Sequence, residues 1–335
     1  MKKHLLTLIF SVLLIAAQGQ DIHFSQFPWS PLNLGPQQAG QFDGDLRLSA
    51  IHRRQWAAVT VPYKTFSGSA DASLNLFKES LRMFNAGLLI NHDEAGDGQM
   101  RTLDVRGFFG ITLPLEADSV YFFRGGVMAG FSQRSVDFNA LSFDEQFNGD
   151  VWDPLAANGE NYNTNKATWL DLGLGMGFER KTENSRIHLN ASATHINRPD
   201  QGFYSEAVRR PVLWQINGGG LFRLSDQLSL HPEVIWMAQE SYRALNLGAE
   251  FRLVLQQEQP KNYAIGLGIF HRVKDAIIPE IALYWNKFRL GFSYDINISS
   301  LRTVSKGRGG PEFSITYITR KIRSKPQRSV VCPVY

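Results

Sequence analysis

The chain has a single cysteine, Cys332, among 335 residues. One thiol forms no internal bridge, so a disulfide framework is excluded. A strong charge of either sign is also missing. The formal net charge is +4, and two of the positive charges, Lys2 and Lys3, stand at the extreme start in a stretch without acids. The remainder is too mildly basic for a nucleic-acid partner. Beyond the first twenty residues no stretch approaches the roughly 18 consecutive apolar residues that a membrane-crossing helix needs. Catalytic signatures are scarce too. His188, Ser192 and His195 fall close together, but no G-x-S-x-G elbow accompanies them, and no enzymatic activity is expected. "SFDEQFNGDVWDP" (142–154) clusters Asp144, Glu145, Asn148, Asp150 and Asp153. Oxygen ligands at that density suit calcium, yet the spacing fits no EF-hand loop. Neither a metal nor a cofactor is implied.

What is present begins with a leader. Lys2 and Lys3 precede an apolar run from Leu5 to Ala17, and Ala17-Gln18-Gly19 follows. That layout predicts a secretory signal peptide over 1–19, cut before Gln20. The run is too short to span a bilayer as a helix. No cysteine lies near the cut, so a lipid anchor is not expected.

After residue 45 the dominant pattern is alternation. In "TLDVRGFFGITL", Leu103, Val105, Phe109, Ile111 and Leu113 share one face, while Thr102, Asp104, Arg106 and Thr112 share the other. "WLDLGLGMGFER" sets Leu170, Leu172, Leu174, Met176 and Phe178 against Asp171 and Glu179. "ALNLGAEFRL" and "FRLGFSYDINI" repeat the pattern, with Glu250, Arg252, Arg289 and Asp295 on their polar faces. A strand sends successive side chains to opposite sides, so each run has one greasy and one wet surface. Runs of about ten residues exceed ordinary soluble strands and suit tilted strands crossing a bilayer.

About fourteen such runs are countable, near 46–56, 66–77, 82–92, 100–114, 119–134, 167–181, 184–196, 210–224, 227–238, 241–255, 261–271, 275–285, 287–298 and 311–320. The expected fold is all-β, a transmembrane antiparallel barrel of the bacterial outer membrane. Every second connection is short, and the others include the long stretches 135–166, 197–209 and 299–310. Short turns face the periplasm and long loops face outward in such barrels, which puts both chain ends of the barrel on the periplasmic side. Trp56, Trp152, Trp169, Trp214, Trp236 and Trp285 fall mostly in or near strand ends, as an aromatic belt requires. Glycines crowd the wet faces, where backbones bend or approach one another.

The wet faces are expected to enclose a network of Asp104, Arg106, Asp171, Glu179, Glu250, Arg252, Arg289 and Asp295. Mixed charge suits cross-lumen ion pairs rather than a selective pore, which needs rings of one sign. Ahead of the barrel, "DIHFSQFPWSPLNLGPQQAG" (21–40) is neither helix nor strand. It is expected to form a strap or plug over 20–45 at the periplasmic mouth or in the lumen. Phe24, Phe27, Trp29, Pro31 and Leu32 are its expected contacts, and prolines lower the entropy lost on ordering. Beyond 320 the tail carries Arg320, Lys321, Arg323, Lys325 and Arg328. It is expected to extend over 321–335 into the periplasm.

Several segments resemble the PorP/SprF family of type IX secretion outer-membrane proteins. Asp21, Phe24, Ser25, Gln26, Pro31, Leu32, Ala39 and Gly40 match the opening pattern of that family, with Gly35 in place of the usual Asn before Pro36. "HRRQWAAV" (52–59), "HINRPDQGFY" (195–204), "LGFSYDINISSLR", "GRGGPEFSITYI" and the terminal "CPVY" match further segments in order. The resemblance implies a role in protein secretion by the type IX system, and in gliding motility in some relatives. It implies other secretion components at the periplasmic face as partners, and a secreted surface protein or adhesin as cargo. Outer-membrane lipid would contact the greasy faces. The rival expectation is a channel for small or hydrophobic solutes with the N-terminal segment as hatch.

Overall fold

The computed structural model describes residues 21–55, 61–74, 83–96, 98–116, 120–153, 155–160, 164–258, 261–300 and 302–319. The expected signal peptide, Trp56, the turn at 78–81 and the basic tail with Cys332 lie outside the described residues.

Fourteen antiparallel strands close into a barrel. They are β1 (Leu46–Gln55), β2 (Tyr63–Leu74), β3 (Met83–Ala95), β4 (Met100–Pro114), β5 (Tyr121–Ser135), β6 (Lys166–Lys181) and β7 (Ser185–Thr194). The second half comprises β8 (Leu213–Arg223), β9 (Leu228–Gln239), β10 (Tyr242–Glu258), β11 (Lys261–Arg272), β12 (Ala276–Trp285), β13 (Phe288–Asn297) and β14 (Arg308–Thr319). Each strand pairs with its sequence neighbour, and β1 pairs with β14 from Leu46↔Thr319 to Arg53↔Glu312. Closure leaves no edge with unpaired backbone groups, which a lipid solvent requires.

The alternation reads directly into the wall. Leu170, Leu174, Met176 and Phe178 of β6 face outward and are exposed, while Asp171 and Glu179 are buried. Leu290, Phe292 and Ile296 of β13 are exposed, while Arg289 and Asp295 are buried. An inside-out distribution of this kind is stable only where the outer solvent is hydrocarbon. Among the described residues no helix is long and apolar enough to cross a membrane, so the crossing elements are strands.

A few boundaries differ from the sequence reading. β8 starts at Leu213 rather than at 210, since Pro211 lacks the N–H that a ladder needs. β10 runs on to Glu258 across a bulge between Val254 and Gln256. β7 stops at Thr194, so His195 lies past the strand, at a positive φ of 60°. The connections 182–184, 224–227 and 286–287 gather at one rim with the start of β1 and the end of β14. The longer loops 136–165, 195–212 and 298–307 gather at the opposite rim, together with short turns at 240–241 and 273–275.

The apolar core is small and lies inside the ring. One cluster joins Phe27 and Leu34 to Leu213, Ile235, Met237, Phe270, Ala276 and Ile278. A second joins Leu32 and Ala39 to Leu89, Phe108 and Met128. Both contain residues that precede β1 and residues of the inner wall.

Candidate functional site: the barrel interior

The segment before β1 is short on regular structure for physical reasons. Prolines at 28, 31 and 36 each open a 3-10 turn, at Phe27–Trp29, Pro31–Leu34 and Pro36–Gln38. A fixed φ suits proline to the first turn of a helix, and none of these turns propagates. Gly35 joins two of them at φ 125°, a region that favours glycine, and a Cβ there would lie 2.5 Å from Ser192 Cβ.

Followed along the chain, the contacts move from rim to rim. Asp21 bonds His195, Arg210 and Gln239, at the long-loop ends of β7 and β9 and in the loop between β7 and β8. The His23 carbonyl accepts from Arg53 near the same end of β1. Ser25 and Gln26 donate their backbone N–H groups to Glu312, at 2.9 and 2.6 Å, and Ser25 Oγ donates to Asp295 at 2.6 Å. The Arg289 guanidinium lies 3.7 Å from the centre of the Trp29 ring, whose edge meets Tyr284. Asn33 donates to Ser67 at 2.9 Å, and Ser192 donates to the Leu34 carbonyl at 2.9 Å. Gly40 donates to Asp71 at 2.8 Å, and Arg47 reaches the Gln38 carbonyl at 3.1 Å. Asp45 finally donates to Thr319 at 2.9 Å, at the short-turn rim. Asp21 and Asp45 therefore stand at opposite ends of the strands.

Phe24, Phe27, Trp29, Pro31 and Leu32 are buried or half-buried among the described residues. Phe24, Phe27 and Leu32 are 4, 3 and 2% exposed, Pro31 is buried, and Trp29 is half-buried under Arg289. Phe27 meets Phe270 edge to face, with centroids 6.0 Å apart. The wall is carved to match. A Cβ at Gly126 would lie 2.6 Å from the Pro36 carbonyl carbon, and one at Gly175 only 1.9 Å from Gln37 Oε1. The inward glycines thus mark where the segment lies against the wall.

Charged side chains of both signs pair on the inner wall. Arg106 pairs with Asp104 at 3.1 Å and Asp171 at 3.5 Å. Glu179 takes Arg124 at 2.8 Å and Arg186 at 2.7 Å. Glu250 takes Arg252 at 3.0 Å and Arg289 at 3.6 Å, and Arg289 also meets Glu280. Asp295 takes Arg53 at 2.7 Å and Arg272 as well. Sequence reasoning missed Arg53, Arg272, Glu280 and Glu312. The signal for Glu312 was present in "GRGGPEFSITY", where it alternates with outward Phe313 and Ile315. Arg53 carried no such signal, because its neighbours His52 and Arg54 are also polar and lie near a rim.

Other candidates fall elsewhere. His188 meets Glu233 at 3.4 Å on the wet face, and Ser192 Oγ is spent on the Leu34 carbonyl. The 142–154 loop folds on itself through a Phe147–Trp152 bridge, with Phe147, Val151, Trp152 and Leu155 exposed. Trp214, Trp236 and Trp285 face outward as a belt requires, but Trp152 stands in that loop and Trp169 faces inward, 6% exposed. Trp169 stacks with Arg134 and Arg210 rather than with lipid.

Fold and interior together define a β-barrel of the bacterial outer membrane. The family model of the type IX secretion system membrane protein PorP/SprF matches residues 16–317. The chain belongs to that family. Among solved structures it is similar to the Ralstonia pickettii toluene transporter TbuX, at 11% identity and a TM-score of 0.54, over 90% of this chain and 96% of that one. A Pseudomonas aeruginosa FadL homologue aligns at 10% identity and a TM-score of 0.48, over 88% of this chain and 95% of that one. At such identities the first similarity shows the shared barrel alone, and the second carries no argument. No curated protein matches the chain.

Proposed function

We propose that this barrel is a non-enzymatic component of the type IX secretion machinery that supports export or surface attachment of a cell-surface protein, including an adhesin of gliding cells. The family match over residues 16–317 carries the reading. The interior supports a binding role over a conducting one. Residues 21–45 act as a plug, and buried ion pairs of both signs line the wall around them. With the segment in place, passage of a folded protein through this barrel is disfavoured, and cargo is expected to pass beside it. The other secretion components dock at the short-turn rim, near both ends of the barrel. The exposed loops 136–165 and 195–212 receive the surface protein, as long loops on a rigid scaffold commonly do.

Affinity purification of the full chain from native outer membranes is the test. Copurification of periplasmic secretion components, with loss of one surface protein on deleting the gene, is the expected result. Swelling of proteoliposomes in small or hydrophobic solutes, with secretion unchanged in the deletion strain, would replace this reading with the solute channel.

A further inference from the structure

The long-loop end of the interior holds a cluster that neither a wall nor a secretion role requires. Asp21 Oδ2 lies 2.5 Å from His195 Nε2, and the other oxygen, Oδ1, accepts from Arg210 Nε at 3.2 Å and from Arg210 Nη2. The Asp21 backbone N–H reaches Gln239 Oε1 at 3.3 Å. The receiving groups are deeply buried, His195 at 0% and Arg210 at 5% exposure. Both are held from behind. Asp171, itself 0% exposed, takes His195 Nδ1 at 2.7 Å and meets Arg106 at 3.5 Å. Arg210 lies over the Trp169 ring, and its backbone N–H donates to the Pro199 carbonyl at 2.8 Å.

Arg210 makes no other described ion pair, and its Nη1 has no hydrogen-bond partner. Without the Asp21 carboxylate a buried guanidinium would lose its one direct ion pair and keep only the more distant charges of Asp104 and Asp171, a costly arrangement in a protein interior. The cluster therefore favours an anion at this place, with one oxygen toward Arg210 and the other toward His195. Asp21, the first described residue, fills it from ahead of the three 3-10 turns.

We propose that His195, Arg210 and Gln239 form a carboxylate-reading site at the long-loop rim, which takes the acidic leading side chain of an extended peptide and is filled by the chain's own Asp21. The site latches residues 21–45 in their threaded position and holds the amino end of the described chain at the outward rim. It is independent of the secretion reading, since it depends only on the barrel and on the geometry of this cluster.

The lone native cysteine allows a direct test in the full chain. Ile22, beside the latch, becomes cysteine in a Cys332→Ser background, and its labelling by a membrane-impermeant maleimide reports how often the end is undocked. Asp21→Ala is expected to speed labelling on the order of a hundredfold, the consequence of an unpaired buried cation. Acetate added to Asp21→Ala should slow labelling again, while equal chloride should not. Arg210→Gln should label fast whether or not Asp21 is present, and should not respond to acetate. Heat-modifiable electrophoretic mobility confirms a folded barrel in each case, and Asp21→Asn carries the same expectation should the alanine variant fail to fold. Equal labelling with and without Asp21, or rescue by chloride as good as by acetate, would overturn the proposal.

Discussion

Asp295 shows what a single inward residue does in this barrel. Its carboxylate takes Arg53, Arg272 and the Ser25 hydroxyl, so one side chain ties β1, β11, β13 and the N-terminal segment together. Asp295→Asn keeps the shape and removes the charge that two buried guanidiniums share. A loss of about 3–5 kcal/mol is expected, read as a shifted urea midpoint for the refolded protein in detergent micelles. Lys64→Ala, at a pair with Glu94 in which the lysine is half-exposed, should cost at most about 1 kcal/mol in the same assay. Asp21 sits at the long-loop rim. Burial pushes its carboxyl up, but Arg210 and His195 outweigh burial and hold it well below the usual carboxylate range. At this scale alternation revealed which residues turn inward, as with Asp104, Asp171 and Glu250. It did not reveal whom they meet, because partners such as Asp21 and His195 are 174 positions apart in the chain.

Strands were the most legible elements. A period of two over ten or more residues is imposed by lipid on one side and polar groups on the other, and it survives without any tertiary information. Boundaries slipped where backbone chemistry overrode the pattern, as at Pro211 before β8. The segment 21–45 was the least legible element. Its backbone bonds close only short turns and many of its side chains bond the wall, so its own sequence has no period to read. Its imprint was instead in the strands, as inward glycines at places where backbones approach. Gly126 is the sharpest case, since the nearest atoms to an added side chain are backbone atoms of Pro36 and Gln37. Gly126→Val should push the segment from its seat without touching a charged group. Ion conductance in planar bilayers is expected to rise well above that of the unmodified barrel, and an unchanged trace would mean that the segment does not close the lumen.

At the scale of the whole molecule, the unequal rims set orientation. Long loops face outward in outer-membrane barrels and short turns face the periplasm. An epitope inserted near Asp150 should be accessible to antibody on intact cells, and one inserted at Asp226 only after permeabilisation. The reverse labelling would invert the molecule and place Asp21 on the periplasmic side. It would also move the expected docking face of the secretion partners to the rim of long loops.

The sequence by itself determined the solvent of each face, the number of crossings and the family. These follow from local alternation, turn length and short motifs, which act over neighbouring residues. Only the tertiary structure decided which charges pair and which side chains residue 21 meets. Those depend on closure of β1 against β14, which brings side chains hundreds of positions apart into one enclosed space where an unpaired charge is too costly to leave.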